Sequence, residues 1–99
     1  MILLTVRYCV KPGSRDLVLA LAKEMQTYAR TEDGNIEYLQ LPSIENENEM
    51  IVIEKWTSPE AVRAHQTSTV YKQFSEARRP YLIEGSMIIQ SYRAEETAD

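Results

Sequence analysis

Residues 51–68 read IVIEKWTSPEAVRAHQTS and join an apolar run to a strong helix-start signal. Mostly apolar residues lead up to Trp56, the only tryptophan of the chain, and such a run predicts a strand. Ser58 can cap the backbone N–H groups of a following helix, and Pro59 suits the first helical position. The stretch therefore predicts a strand followed directly by a short helix that carries His65, the only histidine.

The helical region after the strand has two possible starts and a clear end. Thr57 and Glu60 could form a capping box in place of the Ser58 cap. Ser68 can cap a further helical segment that carries Val70, Tyr71, Phe74 and Ala77. That segment must end before Pro80, because the residue that precedes a proline avoids the helical conformation.

The first third of the chain predicts a strand and an amphipathic helix. Residues 2–10 are apolar and β-branched, and they end at the turn signal Lys11-Pro12-Gly13. A helix follows from Ser14 and stops near Asp33-Gly34. Its predicted buried stripe recurs at spacings of three and four and is centred on Leu17, Leu21, Met25 and Tyr28, widened by Val18, Ala22 and Ala29.

Three further strands complete a single domain over residues 1–94. Residues 35–41 and 50–56 predict an antiparallel hairpin, and the acidic residues 45–49 predict its solvated tip. Residues 86–93 predict the last strand, and residues 95–99 a polar tail. The order is β-α-β-β-α-β.

This order predicts an α+β, ferredoxin-like split fold, in which a four-stranded antiparallel sheet carries helices on one face. Strict alternation in the third strand directs two sets of side chains to opposite faces. These sets are Met50, Val52, Glu54 and Trp56 on one face, and Ile51, Ile53 and Lys55 on the other. Both faces carry apolar residues and helices cover only one, so the sequence predicts a homodimer through the open sheet face.

Composition excludes several classes of function. The 99 residues carry a net charge of −4, which favours neither nucleic acid nor anionic membranes as partners. Cys9 and His65, the only cysteine and histidine, cannot form an ordinary structural zinc site. The three glycines lack the spacing of a nucleotide-binding turn, so neither a bound flavin nor a nicotinamide is expected. With no signal or membrane segment, a cytoplasmic location is the default expectation.

A family resemblance extends over nearly the whole chain. The segments VKPG, GNIEY, EKW and SPEAVRAH occur in the order and spacing typical of the antibiotic biosynthesis monooxygenase family, which the chain resembles. The resemblance implies a dimeric α+β barrel and the oxidation of a small phenolic, quinol or polyketide-like aromatic by dioxygen without a cofactor. Many relatives carry a second histidine where this chain has Val70 and Tyr71. Haem-degrading relatives carry an asparagine on the first strand, which is absent here, and this disfavours haem degradation.

The candidate site combines residues of the third strand with the short helix. His65 shares the inner stripe of that helix with Ala61 and Val62, and it is the candidate base. Its alternative role is that of a helix-cap or packing histidine against a core tryptophan. Glu54 is the candidate second acid or base; its alternative role is an ion pair with Arg63 or another basic residue. Candidate substrate contacts are Trp56, Tyr8, Tyr38 and Tyr71, each of which could instead be a core residue.

Three hypotheses remain from the sequence. The first is the cofactor-independent monooxygenase. The second is an isomerase that transfers protons through His65 and Glu54. The third is a non-catalytic dimer that binds a small ligand or a partner protein.

Overall fold

The computed structural model describes residues 1–98, with elements in the predicted order. Asp99, the end of the predicted tail, lies outside the described residues, and residues 95–98 form neither helix nor strand. The strands are β1 (Ile2–Cys9), β2 (Asn35–Pro42), β3 (Glu49–Trp56) and β4 (Ile88–Arg93), and the helices are α1 (Arg15–Ala29), α2 (Pro59–Gln66) and α3 (Thr69–Arg78). A turn of 3₁₀ helix, Arg79–Tyr81, follows α3.

The four strands form one antiparallel sheet in the order β2-β3-β1-β4. Leu4 of β1 pairs with Glu54 of β3, and Tyr38 of β2 pairs with the same residue from the other side. Directly paired residues point to the same face, so these three side chains lie together on the side that the helices cover. The predicted ferredoxin-like α+β fold is confirmed.

Helix α1 packs through a narrower stripe than the sequence predicts. Its buried residues are Val18, Ala22, Met25 and Ala29. Leu17 and Tyr28, which were expected at the centre of the stripe, are 44% and 36% exposed, and this part of the prediction is wrong. The stripe is centred on Val18, Ala22, Met25 and Ala29, and residues 17 and 28 lie to one side of it because successive residues of a helix are rotated by about 100°.

Local capping signals act as predicted. The Ser58 hydroxyl accepts a hydrogen bond from the Ala61 N–H at 3.2 Å, and Pro59 is the first residue of α2. The Ser68 hydroxyl accepts from the Tyr71 N–H at 3.1 Å at the start of α3. Serine, rather than the alternative Thr57 capping box, therefore starts the helix that carries His65.

The other face of the sheet carries no helix. The registers of β1 with β3 and β4 direct Tyr92 of β4 to the same face as Leu3 of β1 and Ile51 and Ile53 of β3. Glu49, at the end of the predicted solvated tip, is instead paired with Arg7 on this face at 3.0 Å. Within residues 1–98, none of the helices is long and apolar enough to cross a membrane.

Candidate active site

The only histidine lies at the centre of an aromatic cluster between the sheet and the helices. His65, near the end of α2, is 1% exposed. Its ring centroid lies 4.7 Å from that of Trp56, 4.9 Å from that of Tyr71 and 5.6 Å from that of Tyr38. Three of the four aromatic residues predicted for the site are therefore in contact with the predicted base.

Glu32 determines which imidazole nitrogen faces the site. A carboxylate oxygen of Glu32, in the turn after α1, lies 2.6 Å from Nδ1 of His65. An ionised carboxylate only accepts hydrogen bonds, so Nδ1 must carry the proton. In the neutral ring, Nε2 then has a free lone pair, and within residues 1–98 it has no hydrogen-bond partner. Carboxylate pairing thus sets both the tautomer and the ring orientation.

A glycine lets the Glu32 turn approach α2. Gly34 has φ +82°, and its carbonyl accepts from the Thr57 N–H at 2.8 Å. A Cβ at this position would lie 2.6 Å from the Ala61 Cβ and 2.8 Å from the Thr57 hydroxyl oxygen. Only glycine combines this backbone conformation with so close an approach. The turn is therefore held against the start of the helix that presents His65.

Glu54 lies on the other side of the imidazole, at the centre of β3. Its carboxylate accepts a hydrogen bond from the Trp56 indole N–H at 3.0 Å and lies 3.9 Å from Nε2 of His65. Burial raises the pKa of Glu54 above the usual range, although the Trp56 hydrogen bond and His65 oppose the rise. Two buried titratable groups are thus adjacent at the free face of the histidine.

The predicted alternative for Glu54 was an ion pair with Arg63 or another basic residue. The pair with Arg63 is not formed, and the basic residue beside the Glu54 carboxylate is His65. The contacts of the Glu54 carboxylate are with Trp56 and His65, and Arg63 is an exposed residue of α2. The period of the helix explains the difference, because residues 63 and 65 point in different directions when 65 faces the sheet.

Two neighbouring cavities adjoin the cluster. The smaller, about 30 Å³, is lined by His65, Glu54, Tyr38 and Tyr71 together with apolar residues of the sheet, Phe74 and Arg78. It has room for about one or two water molecules, whereas benzene occupies an engineered cavity of about 150 Å³. A larger cavity of about 660 Å³ shares three wall residues with it: Tyr71, Arg78 and Met87.

Tyr8, the fourth predicted aromatic contact, lies beyond the small cavity. Its hydroxyl donates to the side-chain oxygen of Gln40 at 3.3 Å, and its ring packs under the guanidinium of Arg78. Burial raises the pKa of both Tyr8 and Tyr38; Arg78 opposes the rise at Tyr8, and the Glu54 carboxylate adds to it at Tyr38. Both hydroxyls therefore keep their protons at neutral pH, so the Tyr8 hydroxyl donates to Gln40 and the Tyr38 hydroxyl is available as a donor.

Three residues of the site carry no sequence signal that predicts their role. Glu32 is 33 positions from His65, and it stands in an ordinary polar turn. Gly34 signals a helix end but not the contact with α2. Arg78 belongs to a basic pair at the end of a helix, which normally indicates a solvated terminus. Among residues 1–98, no group of three or more His, Cys, Asp or Glu residues is arranged to hold a metal ion.

The fold and site define a small ferredoxin-like domain with a buried acid–base cluster between sheet and helices. The family model described as antibiotic biosynthesis monooxygenase matches residues 1–77. The chain belongs to this family.

The similarity to known proteins, in sequence for one and in fold for others, extends over most of the chain. The protein named "Putative monooxygenase YcnE" of Bacillus subtilis (strain 168) is 30% identical over 74 residues, which are 75% of this chain and 78% of that protein. The structure of Rv0793 from Mycobacterium tuberculosis superposes with a TM-score of 0.87 at 22% identity, covering 99% of this chain and 98% of that one. A Deinococcus radiodurans structure described as a "putative antibiotic biosynthesis monooxygenase" reaches 0.91 at 18% identity, covering 100% and 97%.

Proposed function

We propose that the protein is a cofactor-independent monooxygenase that oxidises a small phenolic, quinol or polyketide-like aromatic substrate with dioxygen. The observation that carries the proposal is the state of His65: Nδ1 is held by Glu32, and Nε2 has no hydrogen-bond partner within residues 1–98 at the wall of a cavity. A buried base with a fixed tautomer is the group that such a reaction requires of the protein. Family membership supports the same activity.

The reaction begins with a proton transfer. Nε2 of His65 accepts the phenolic proton, and the electron-rich anion gives one electron to dioxygen. The substrate radical and superoxide combine at a ring carbon to form a peroxide, which takes back a proton. Cleavage of the O–O bond with loss of the ring-carbon proton leaves a carbonyl and releases water. One oxygen atom enters the product, the other enters water, and the substrate supplies all four electrons.

The other residues of the site orient and stabilise the anion. The Tyr38 and Tyr71 hydroxyls can donate to the substrate oxygen, since both residues line the cavity with His65. Trp56 is a positioning residue, because its indole N–H holds the Glu54 carboxylate beside Nε2. The buried setting excludes water, which strengthens each of these electrostatic contacts.

The test is dioxygen uptake by the purified protein over a panel of quinols and hydroxylated polycyclic aromatics. His65→Ala should abolish uptake, and Arg63→Ala, an exposed change on the same helix, should leave it unchanged. Uptake that survives His65→Ala would contradict the assignment of the base. No uptake on any substrate would overturn the monooxygenase proposal.

A second candidate is an isomerase that moves protons on the same site without dioxygen. The observation that favours it is the adjacency of Glu54 and His65, whose carboxylate oxygen and Nε2 are 3.9 Å apart, because one group can accept a proton while the other donates. Anaerobic exchange of substrate hydrogen for solvent deuterium, lost in His65→Ala, would separate this activity from oxygen chemistry.

We also propose that the open sheet face is covered by the same face of a second copy. The support is the exposure of large apolar side chains there: Leu41 is 40% exposed, Ile88 56% and Tyr92 46%. Apolar surface of this kind on both partners is typical of a two-fold dimer.

A further inference from the structure

Arg78, the last residue of α3, is a buried cation that forms no ion pair within residues 1–98, although its charge opposes the rise in the pKa of Glu54 across the small cavity. It is 5% exposed, and none of the ion pairs formed within residues 1–98 includes it. The guanidinium carbon lies 4.6 Å from the ring centroids of both Tyr8 and Phe74. Its Nε has no hydrogen-bond partner in the described chain. Aromatic contacts offset part of the cost of burying the charge, but they leave the Nε–H donor without an acceptor in the described chain.

The position of Arg78 connects the two cavities. It lines the small cavity beside His65 and also the larger cavity of about 660 Å³. Lys11 and Arg79 line the larger cavity as well, and the acidic residue in its wall is the exposed Glu84. Three cations against one carboxylate make this cavity attractive to an anion, and Arg78 is the buried one.

We propose that Arg78 binds the carboxylate of an aromatic acid that occupies the larger cavity. A guanidinium presents N–H donors in one plane, in a fork that matches the two oxygens of a carboxylate. An acceptor must therefore approach in the plane of the group, where a flat carboxylate fits between the aromatic neighbours. That aromatic acids are substrates rests on the proposed function, because Arg78 and His65 line the same cavity. That Arg78 binds an anion does not rest on it.

The wall between the cavities gives the ring of such a ligand a place. With the carboxylate on Arg78, the ring lies against Tyr71 and Met87, which belong to both cavities. Met87 is 36% exposed, and its flexible side chain can move to admit the ring towards His65. A small cavity of about 30 Å³ can then open to a substrate that it does not accommodate as it stands.

The experiment compares acids with their uncharged amides by calorimetry under anaerobic conditions. The probes are benzoate, 2-naphthoate and 2-anthracenecarboxylate, each beside the matching carboxamide. The wild-type protein should bind at least one acid about tenfold or more tightly than its amide, as expected when charge-assisted hydrogen bonds are lost. Arg78→Gln should remove this preference, and Arg79→Gln, a neighbouring exposed arginine of the same cavity, should retain most of it.

Several outcomes would overturn the proposal. These are no binding of any acid by the wild-type protein, equal affinity for acid and amide, or an equal loss in Arg78→Gln and Arg79→Gln. If Arg78→Gln fails to fold, the proposal is tested by the comparison of acid with amide on the wild-type protein and on Arg78→Lys. The Arg78→Lys variant should keep part of the preference for the acid. The probes carry no phenol to oxidise. Their binding can therefore fail while dioxygen uptake on other substrates succeeds, and it can succeed while dioxygen uptake fails.

Discussion

Replacing Glu32 tests whether the carboxylate orients the histidine. Glu32→Ala removes a contact of 2.6 Å to Nδ1 of a side chain that is 2% exposed, so water replaces it poorly. A hydrogen bond to a charged group contributes about 1.5–3 kcal/mol to stability. We expect the free energy of unfolding to fall by about 2 kcal/mol, and dioxygen uptake to fall about 10- to 100-fold, as when a supporting carboxylate is removed from a histidine.

Urea unfolding and NMR of the imidazole measure the two effects. A loss of about 2 kcal/mol moves the urea midpoint by about 1 M at the slopes usual for small domains. Long-range ¹H–¹⁵N spectra should place the proton of the neutral ring on Nδ1 in the wild-type protein. Glu32→Ala should shift it towards Nε2, whereas Glu32→Gln, whose carbonyl still accepts, should retain the Nδ1 proton.

The matched control is Glu76→Ala, which removes an exposed carboxylate from α3, away from the open sheet face. Substitution of such a surface residue usually changes stability by less than about 0.5 kcal/mol. Equal destabilisation by Glu32→Ala and Glu76→Ala would refute the argument from burial. A wild-type ring protonated on Nε2 in its neutral form would refute the assigned orientation of the base.

Three further changes test the carboxyl, the glycine and the open face. Burial raises the pKa of Glu54 above its usual value of 4.5, so between these two pKa values the folded protein keeps a proton that the unfolded chain releases. The free energy of unfolding therefore falls as pH rises from 4.5 towards the raised pKa. Glu54→Gln should remove this dependence of stability on pH and should be more stable than the wild-type protein at neutral pH, as measured by urea unfolding from acid to neutral pH. The exposed change Glu47→Gln should leave the dependence in place. A dependence on pH that is unchanged in Glu54→Gln would contradict the assignment. Gly34→Ala should destabilise the protein by clearly more than Gly13→Ala. Both glycines have positive φ, which costs an alanine about 1–2 kcal/mol at either position, but of the two only Gly34 lacks space for a Cβ. Ile53→Lys should convert the proposed dimer to a monomer by light scattering; a wild-type protein that is already monomeric refutes the interface.

Local sequence signals determined the elements of the fold. Ser58 and Ser68 cap their helices through hydrogen bonds to N–H groups three residues away, so residues close in the chain suffice to predict them. Alternation along β3 placed Glu54 and Trp56 on one face, because successive side chains of a strand point in opposite directions. The order β-α-β-β-α-β then predicted the ferredoxin-like topology.

Tertiary structure alone decided how the site is assembled. Sequence patterns identified His65 and Glu54 but not Glu32, which reaches the imidazole only because Gly34 lets its turn contact α2. Arg78 is buried against rings from β1 and α3, and packing of α1 on the sheet left Leu17 and Tyr28 partly exposed. Periodicity reports the neighbours of a residue along the chain; these contacts join residues far apart in the chain, and they are determined by how closely whole elements can pack.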